Sequence, residues 1–328
     1  MVKQVNLVLL GAGYWGTKLA GEYIETHKRM DNFNFIGIAE PDKERLAYVG
    51  QKLNLPSSML FHNVADCLTS SEISAVHIAT PNETHFSIAA EALTNQKDIL
   101  LEKPMALNVR DAFKLARLSE SSGNVLLVGH IYRFNAALSQ VKSILKNKVI
   151  GKLNYMQLSW LDHLNPIPDR DIIFDLLPHP IDIMNYLTEE WPSSIYAKSA
   201  VQARTNGESS KDVSAFVIVD MPDGSSAQIT LSWIQTGMRE RIVILAGSDA
   251  TVRVDPISQV VTVYRSDVQT DIPISRNNTM QSMISHFLNC IFGVDKPNNS
   301  SLVGALTVNV LSSARNSINE NKVVRIHE

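Results

Sequence analysis

From residue 5 to residue 130, short apolar runs alternate with amphipathic stretches. VNLVLL (5–10) is a continuous apolar run, the pattern of a central strand covered on both faces. A helical pattern follows from about Tyr14 to His27. FNFIGIA (33–39) reads as the second strand, and Asp42 stands where it can cap a helix that begins at Lys43. AVHIA (75–79) is the next strand, followed by a helical stretch from Thr84 to Thr94. DILL (98–101), a helix opened by Asn108 and running to about Ser121, and VLLVG (125–129) close this half. Strands alternating with helices of this length predict βαβ units and a doubly wound parallel sheet.

After Gly151 the period changes. LNYMQLSWL (153–161) alternates, with Met156, Leu158 and Trp160 on one face, and a helical stretch spans about Ile172 to Leu187. Strand patterns then follow at 194–201, 213–221, 226–233, 241–247, 251–255 and 259–265. Asp223-Gly224 between two of them is a hairpin signal. Ala227, Ile229, Leu231 and Trp233 alternate with Gln228, Thr230 and Ser232, which predicts an antiparallel sheet with one buried face. Helical patterns at about Met280–Phe292 and Leu302–Asn319 and a short VVRI strand end the chain. The change of period divides the sequence into domains 1–130 and 131–328.

Composition agrees with that division, since 328 residues is more than one domain of about 150. With 45% hydrophobic and 19% charged residues, disorder, collagen-like structure and coiled coil are excluded. A net charge of −3 without runs of Lys or Arg gives no footprint for nucleic acid or an anionic membrane. Cys67 and Cys290 stand apart, with no ligand spacing around them, so neither a disulfide framework nor a bound metal is expected, and a cytoplasmic location fits. No segment approaches the ~20 apolar residues of a membrane span.

The candidate chemistry sits where strand patterns end. Gly11-Ala-Gly13-Tyr14-Trp15-Gly16 is Gly-x-Gly-x-x-Gly, directly after a strand and before a helix. The first glycine allows the tight turn, the second lets backbone approach a pyrophosphate, and the third lets helix and strand pack closely. Glu40 ends the second strand, 24 residues after Gly16, where an acid can bind ribose hydroxyls and repel a 2′-phosphate. This predicts NAD rather than NADP, with Arg45 one helical turn on as the counter-argument. Thr80 and Asn82 end the third strand and can either touch a cofactor or build a plain turn. Lys103, in Glu102-Lys103-Pro104 after DILL, can stabilise a developing alkoxide or be solvated. Asp175, His179 and Asp182 are spaced by four and seven, so one helix face can carry them, and a carboxylate one turn from a histidine suits a general base. An ordinary capping or core histidine suits that stretch equally.

Taken together, Gly11–Gly16, Glu102-Lys103-Pro104, Gly129-His130-x-x-Arg133-Phe134 and Asp175-x-x-x-His179-x-x-Asp182 come in the order of one family. The chain resembles the glucose–fructose oxidoreductase / inositol dehydrogenase (Gfo/Idh/MocA) family over nearly its whole length. The resemblance implies an N-terminal Rossmann domain and a C-terminal α+β domain with a large open, mainly antiparallel sheet. It implies hydride transfer between NAD or NADP and a secondary alcohol of a sugar, sugar nucleotide or cyclitol. Lys103 matches the catalytic lysine, His179 the acid/base and Asp175 its supporting acid, while Pro104 matches a proline often preceded by a cis bond. Tyr14, Trp15, His85 and Glu102 join the expected cofactor set, and Arg133, Asn135, Asp162, His163 and Asn165 the expected substrate set. Leu177 and Pro180 depart from the family pattern, Leu177 standing where glycine is common. A redox cycle on tightly held NAD that cleaves glycosides, and a non-catalytic NAD-binding regulator, are the alternatives. The outward sheet face, with Gln228, Thr230, Ser232, Arg239 and Arg241, is expected to pair with a second copy in a dimer or tetramer.

Overall fold

The computed structural model of the chain describes residues 3–163, 171–203, 211–237 and 239–326. Its contacts divide it into two compact units, Met1–Gly129 with Met280–Ala305, and His130–Thr279 with Leu306–Glu328. Everything after residue 130 was expected in one domain. Residues 280–305 instead pack with the first, because Asn299 is bonded in both directions to Val128, at 2.9 Å through backbone and 2.6 Å through its side chain.

In the first unit the elements are β1 (Val5–Leu10), α1 (Tyr14–His27), β2 (Phe33–Ala39), α2 (Lys43–Lys52), β3 (Leu60–Phe61), α3 (Val64–Thr69), β4 (Ala75–Ile78), α4 (His85–Thr94), β5 (Asp98–Leu101), α5 (Val109–Ser122) and β6 (Leu126–Val128). The six strands are parallel, in the order β3-β2-β1-β4-β5-β6. That is the doubly wound nucleotide-binding order, with its reversal between β1 and β4. The apolar runs are buried because helices cover both faces. Leu7, Leu9, Val76, Ile78 and Ile99 are shut off from solvent. Asp42 and Asn108 cap α2 and α5, accepting from the N–H groups of Arg45 and Asp111, as their positions predict.

The second unit contains α6 (Ala136–Lys146), β7 (Leu153–Leu161), α7 (Ile172–Leu176), α8 (Pro178–Thr188), β8 (Ser194–Ala203), β9 (Lys211–Asp220), β10 (Ser226–Ser232), β11 (Glu240–Gly247), β12 (Thr251–Asp255), β13 (Val260–Arg265) and β14 (Val268–Ile272). The chain then adds α9 (Thr279–Ile291), α10 (Ser301–Glu320) and β15 (Val324–Arg325). Nine strands form one sheet, ordered β14-β13-β12-β11-β7-β10-β9-β8-β15. It is antiparallel except at β7 and β10. Consecutive β10 and β11 flank β7 on opposite sides and run in opposite directions, so one of the two is parallel to it. The inner face carries Met156, Leu158, Trp160, Ala227, Ile229 and Leu231, all buried.

The helical stretch from Ile172 breaks at Leu177. Pro178 and Pro180 supply no N–H, so the ladder is interrupted and α8 starts afresh with proline in its first turn. Leu177 itself is helical, with φ −65°, and completely buried. The position therefore needs no glycine and is filled by a core side chain.

Candidate active site

The loop after β1 has the geometry its glycines predict. Gly11 has φ +102°, and a Cβ there would stand 2.5 Å from the Ala79 carbonyl oxygen. A Cβ on Gly16 would stand 2.1 Å from the carbonyl oxygen of Gly11, so α1 can approach β1 only without one. A Cβ on Gly13 would meet nothing within 4 Å. Gly13 thus leaves open space at the N-terminus of α1, the helix end that favours an anion. This is the cradle a dinucleotide pyrophosphate fits.

Glu40, buried at the end of β2, accepts from the Ala12 N–H at 2.9 Å and from the Asp42 N–H at 3.1 Å. Arg45 lies 3.8 Å from the same carboxylate. The arginine that argued for NADP is therefore turned onto an acid. Tyr14 is exposed with Lys18 over its ring, and Trp15 is half-buried.

Thr80 and Asn82 follow β4, both half-exposed. The Thr84 hydroxyl donates to that of Thr80 at 2.7 Å. His85, expected among the cofactor contacts, is buried between two backbone carbonyls. Its Nδ1 is 2.8 Å from the Pro104 oxygen and its Nε2 3.0 Å from the Thr80 oxygen. It ties the turn after β4 to the turn after β5. Burial pulls its pKa below the usual imidazole range, against the opposing pull of the two carbonyls and Glu102. Lys103 is half-buried at the carboxyl end of β5, and the Lys103–Pro104 bond is cis. The preceding Glu102 is buried. Burial opposes its ionisation, but donation from His77, the nearby Trp15 indole and the charge of Lys103 outweigh this and hold it below the usual carboxylate range.

In the second unit Asp175 is buried in α7 and His179 is half-buried in the first turn of α8. The imidazole sits edge-on to Tyr132, ring centroids 5.2 Å apart, and 5.9 Å from Trp160. Arg241 lies over the Trp160 ring and bonds Asp162. Burial raises the Tyr132 pKa, and Arg241 and Arg239 offset part of the rise. Arg241 was expected on the outward sheet face. Its register partner is Trp160, so it belongs to the inner face and is buried there. Ser232 is also buried. Tyr132 and Trp160 were missed as neighbours of His179, and Arg241 as a neighbour of Trp160, a pairing that only the strand register reveals.

Of the expected substrate residues, Arg133 is buried, donating through Nε to Asp182 at 2.7 Å and through a terminal nitrogen to Asn185 at 2.6 Å. Asp182 is therefore committed to Arg133. Asn135 caps α6 through its oxygen and donates to the Pro256 oxygen at 2.8 Å, a structural role. Asp162 takes both Arg241 and, at 3.1 Å, Arg239. His163 is exposed, and Asn165 lies outside the described residues. Among the described residues no group of three acidic, histidine or cysteine side chains could hold a metal. No helix there is long and apolar enough to cross a membrane.

Known proteins place this geometry. Residues 5–130 match the oxidoreductase family with an NAD-binding Rossmann fold, and residues 138–253 match the C-terminal domain of the same family. The chain belongs to the Gfo/Idh/MocA oxidoreductase family. It is 24% identical over 294 residues to the UDP-N-acetylglucosamine 3-dehydrogenase of Acidithiobacillus ferrooxidans, covering 86% of this chain and 87% of that one. It is 25% identical over 267 residues to the 2,7-anhydro-N-acetylneuraminate hydratase of Escherichia coli, covering 76% and 68%. Levoglucosan dehydrogenase, solved with NADH and levoglucosan, shares the fold with a TM-score of 0.86 at 17% identity, covering 99% of this chain and 100% of that one.

Proposed function

We propose that the protein transfers a hydride between NAD and a secondary alcohol of a sugar, sugar nucleotide or cyclitol. The observation that carries the reading is Lys103 at the carboxyl end of β5, on the same sheet edge as the glycine cradle after β1. Gly11, Gly13 and Gly16 would hold the pyrophosphate, and Glu40 the ribose hydroxyls. When bound, NAD supplies the hydride acceptor. Lys103 holds the alcohol oxygen and stabilises the negative charge that grows on it. His179 accepts the hydroxyl proton as the carbon–oxygen bond becomes a carbonyl, and Asp175 supports the imidazolium. Relatives named as UDP-N-acetylglucosamine and myo-inositol dehydrogenases support this substrate range. All three catalytic candidates are present, which disfavours a regulator.

A second reading draws on the relative named a hydratase rather than a dehydrogenase. In it the same groups run a closed redox cycle on retained NAD. Purified protein incubated with NAD and a panel of polyols, aldoses and UDP-sugars tests both. Growth of absorbance at 340 nm supports the first. Substrate conversion without free NADH supports the second. Lys103→Met and His179→Asn should each lower kcat by about two to four powers of ten. Wild-type rates in both would overturn the assignment.

A further inference from the structure

Two buried histidines grip the residues on either side of Lys103. His85 holds the Pro104 carbonyl, as described. His77 lies in β4, in the middle of an apolar run, and is completely buried. Its Nε2 is 3.2 Å from Oε1 of Glu102, and its Nδ1 is 2.8 Å from the Tyr23 hydroxyl. An ionised carboxylate can only accept, so Nε2 carries a proton and donates it. In the tautomer with its single proton on Nε2, Nδ1 accepts from the phenol. Burial and Glu102 hold the Tyr23 pKa well above its ordinary value, which keeps that hydroxyl a donor. A directed chain of hydrogen bonds therefore runs from Tyr23 on α1, through His77, to Glu102. A Cβ on Gly129 would stand 2.8 Å from the other Glu102 oxygen, so the carboxylate is also walled in by backbone.

An apolar residue at position 77 would fill a parallel strand without the desolvation cost of a buried imidazole. What the polar chain secures is the orientation of the carboxylate next to Lys103. We propose that His77, backed by Tyr23, is a positioning residue for Lys103, fixing Glu102 and with it the turn that carries the lysine. The proposal rests on the reading of Lys103 as the group on the reacting oxygen.

His77→Phe removes the donor and His77→Gln restores one near the Nε2 position. In His77→Phe, kcat on the panel alcohol that turns over should fall about ten- to a hundredfold, the usual cost of losing a buried partner of a functional group. NADH affinity, read by fluorescence titration, should stay close to wild type, and His77→Gln should recover most of the rate. Tyr23→Phe should give a smaller loss. A new acid-side fall in kcat should appear in His77→Phe, because Glu102 would then face burial with only Trp15, Lys103 and the nearby Tyr23 and His85 around it. Trace acetylation of Lys103, mapped by mass spectrometry, should change in His77→Phe without any turnover being needed. In a Lys103→Met background, His77→Phe should cost nothing further.

Equal losses from His77→Phe with and without Lys103 would overturn the proposal, as would a wild-type rate and unchanged Lys103 labelling. If His77→Phe does not fold, Tyr23→Phe and His77→Gln carry the same comparison. Wild-type turnover in Lys103→Met alone is a different result, since it would remove the lysine from the reaction whatever His77 does.

Discussion

The carboxylate of Glu40 accepts the backbone N–H of Ala12, so the acid at the end of β2 also pins the glycine loop after β1. One side chain thus shapes the phosphate turn and, on the proposed reading, would present negative charge to a 2′-phosphate. NAD should be preferred over NADP by about tenfold or more in kcat/KM, roughly 1.4 kcal/mol. Glu40→Ala should narrow that ratio and also weaken NADH, because the Ala12 N–H loses its partner. Equal turnover with NADP in the wild type would refute the role given to Glu40.

Gly13 and Gly16 separate binding from folding. Gly13→Ala meets no protein atom, so its melting temperature should match wild type while NADH binding weakens. Gly16→Ala drives a methyl into the Gly11 carbonyl, so it should lose stability, by about 1–3 kcal/mol as for other overpacked sites. Unaltered NADH affinity in Gly13→Ala would place the pyrophosphate elsewhere.

His85 has a depressed pKa in the fold, so the unfolded chain takes up its proton first. Its stabilising contribution is complete above the ordinary imidazole pKa and is lost as pH falls below about 6.5. One proton limits the slope to about 1.4 kcal/mol per pH unit. The gap in unfolding free energy between wild type and His85→Gln, measured in urea, should shrink from pH 8 to pH 5.5. His286, whose pKa burial also lowers, is present in both proteins and cancels. A gap that widens with acid would mean a folded imidazolium donating to both carbonyls.

The outward face of the nine-stranded sheet exposes Tyr155, Phe216 and Ile218, 47%, 50% and 51% accessible, beside Gln228 and Thr230. We propose that a second copy covers it. Phe216→Glu with Ile218→Glu should lower the assembly state by equilibrium sedimentation. A wild-type mass of 36.4 kDa at micromolar concentration would sink the idea.

Strands buried on both faces, and the glycine turn between β1 and α1, were legible because hydrophobic period and turn chemistry are local. β3 and β14 were not. The first has two residues, and VQTDI in the second is polar and mostly exposed. α6 could have been read, since Asn135 caps it and Ala137, Leu138, Val141 and Ile144 form its buried stripe. Arg241 misled because a charge in an alternating strand suggests the wet face, whereas Asp162 and Trp160 make the inner face tolerable to it. His77 passed as one more buried position, since no spacing links it to Tyr23 or Glu102. Lys103, His179 and Asp175 stood out at a strand end and by helical spacing, and were assigned catalytic roles because separate short motifs occurred in one order.

The tether between Asn299 and Val128 bears on how the chain comes off the ribosome. β6 is the last strand of its sheet, and the chain that closes its free edge, through the Leu127–Ser300 bridge, is made much later. At 5–20 residues per second the nascent first unit waits roughly ten to thirty seconds with that edge open. A fragment ending near residue 130 would keep it open permanently, a template for pairing with other chains. Adding residues 280–305 back by a linker, rather than trimming further, is what should make such a fragment behave.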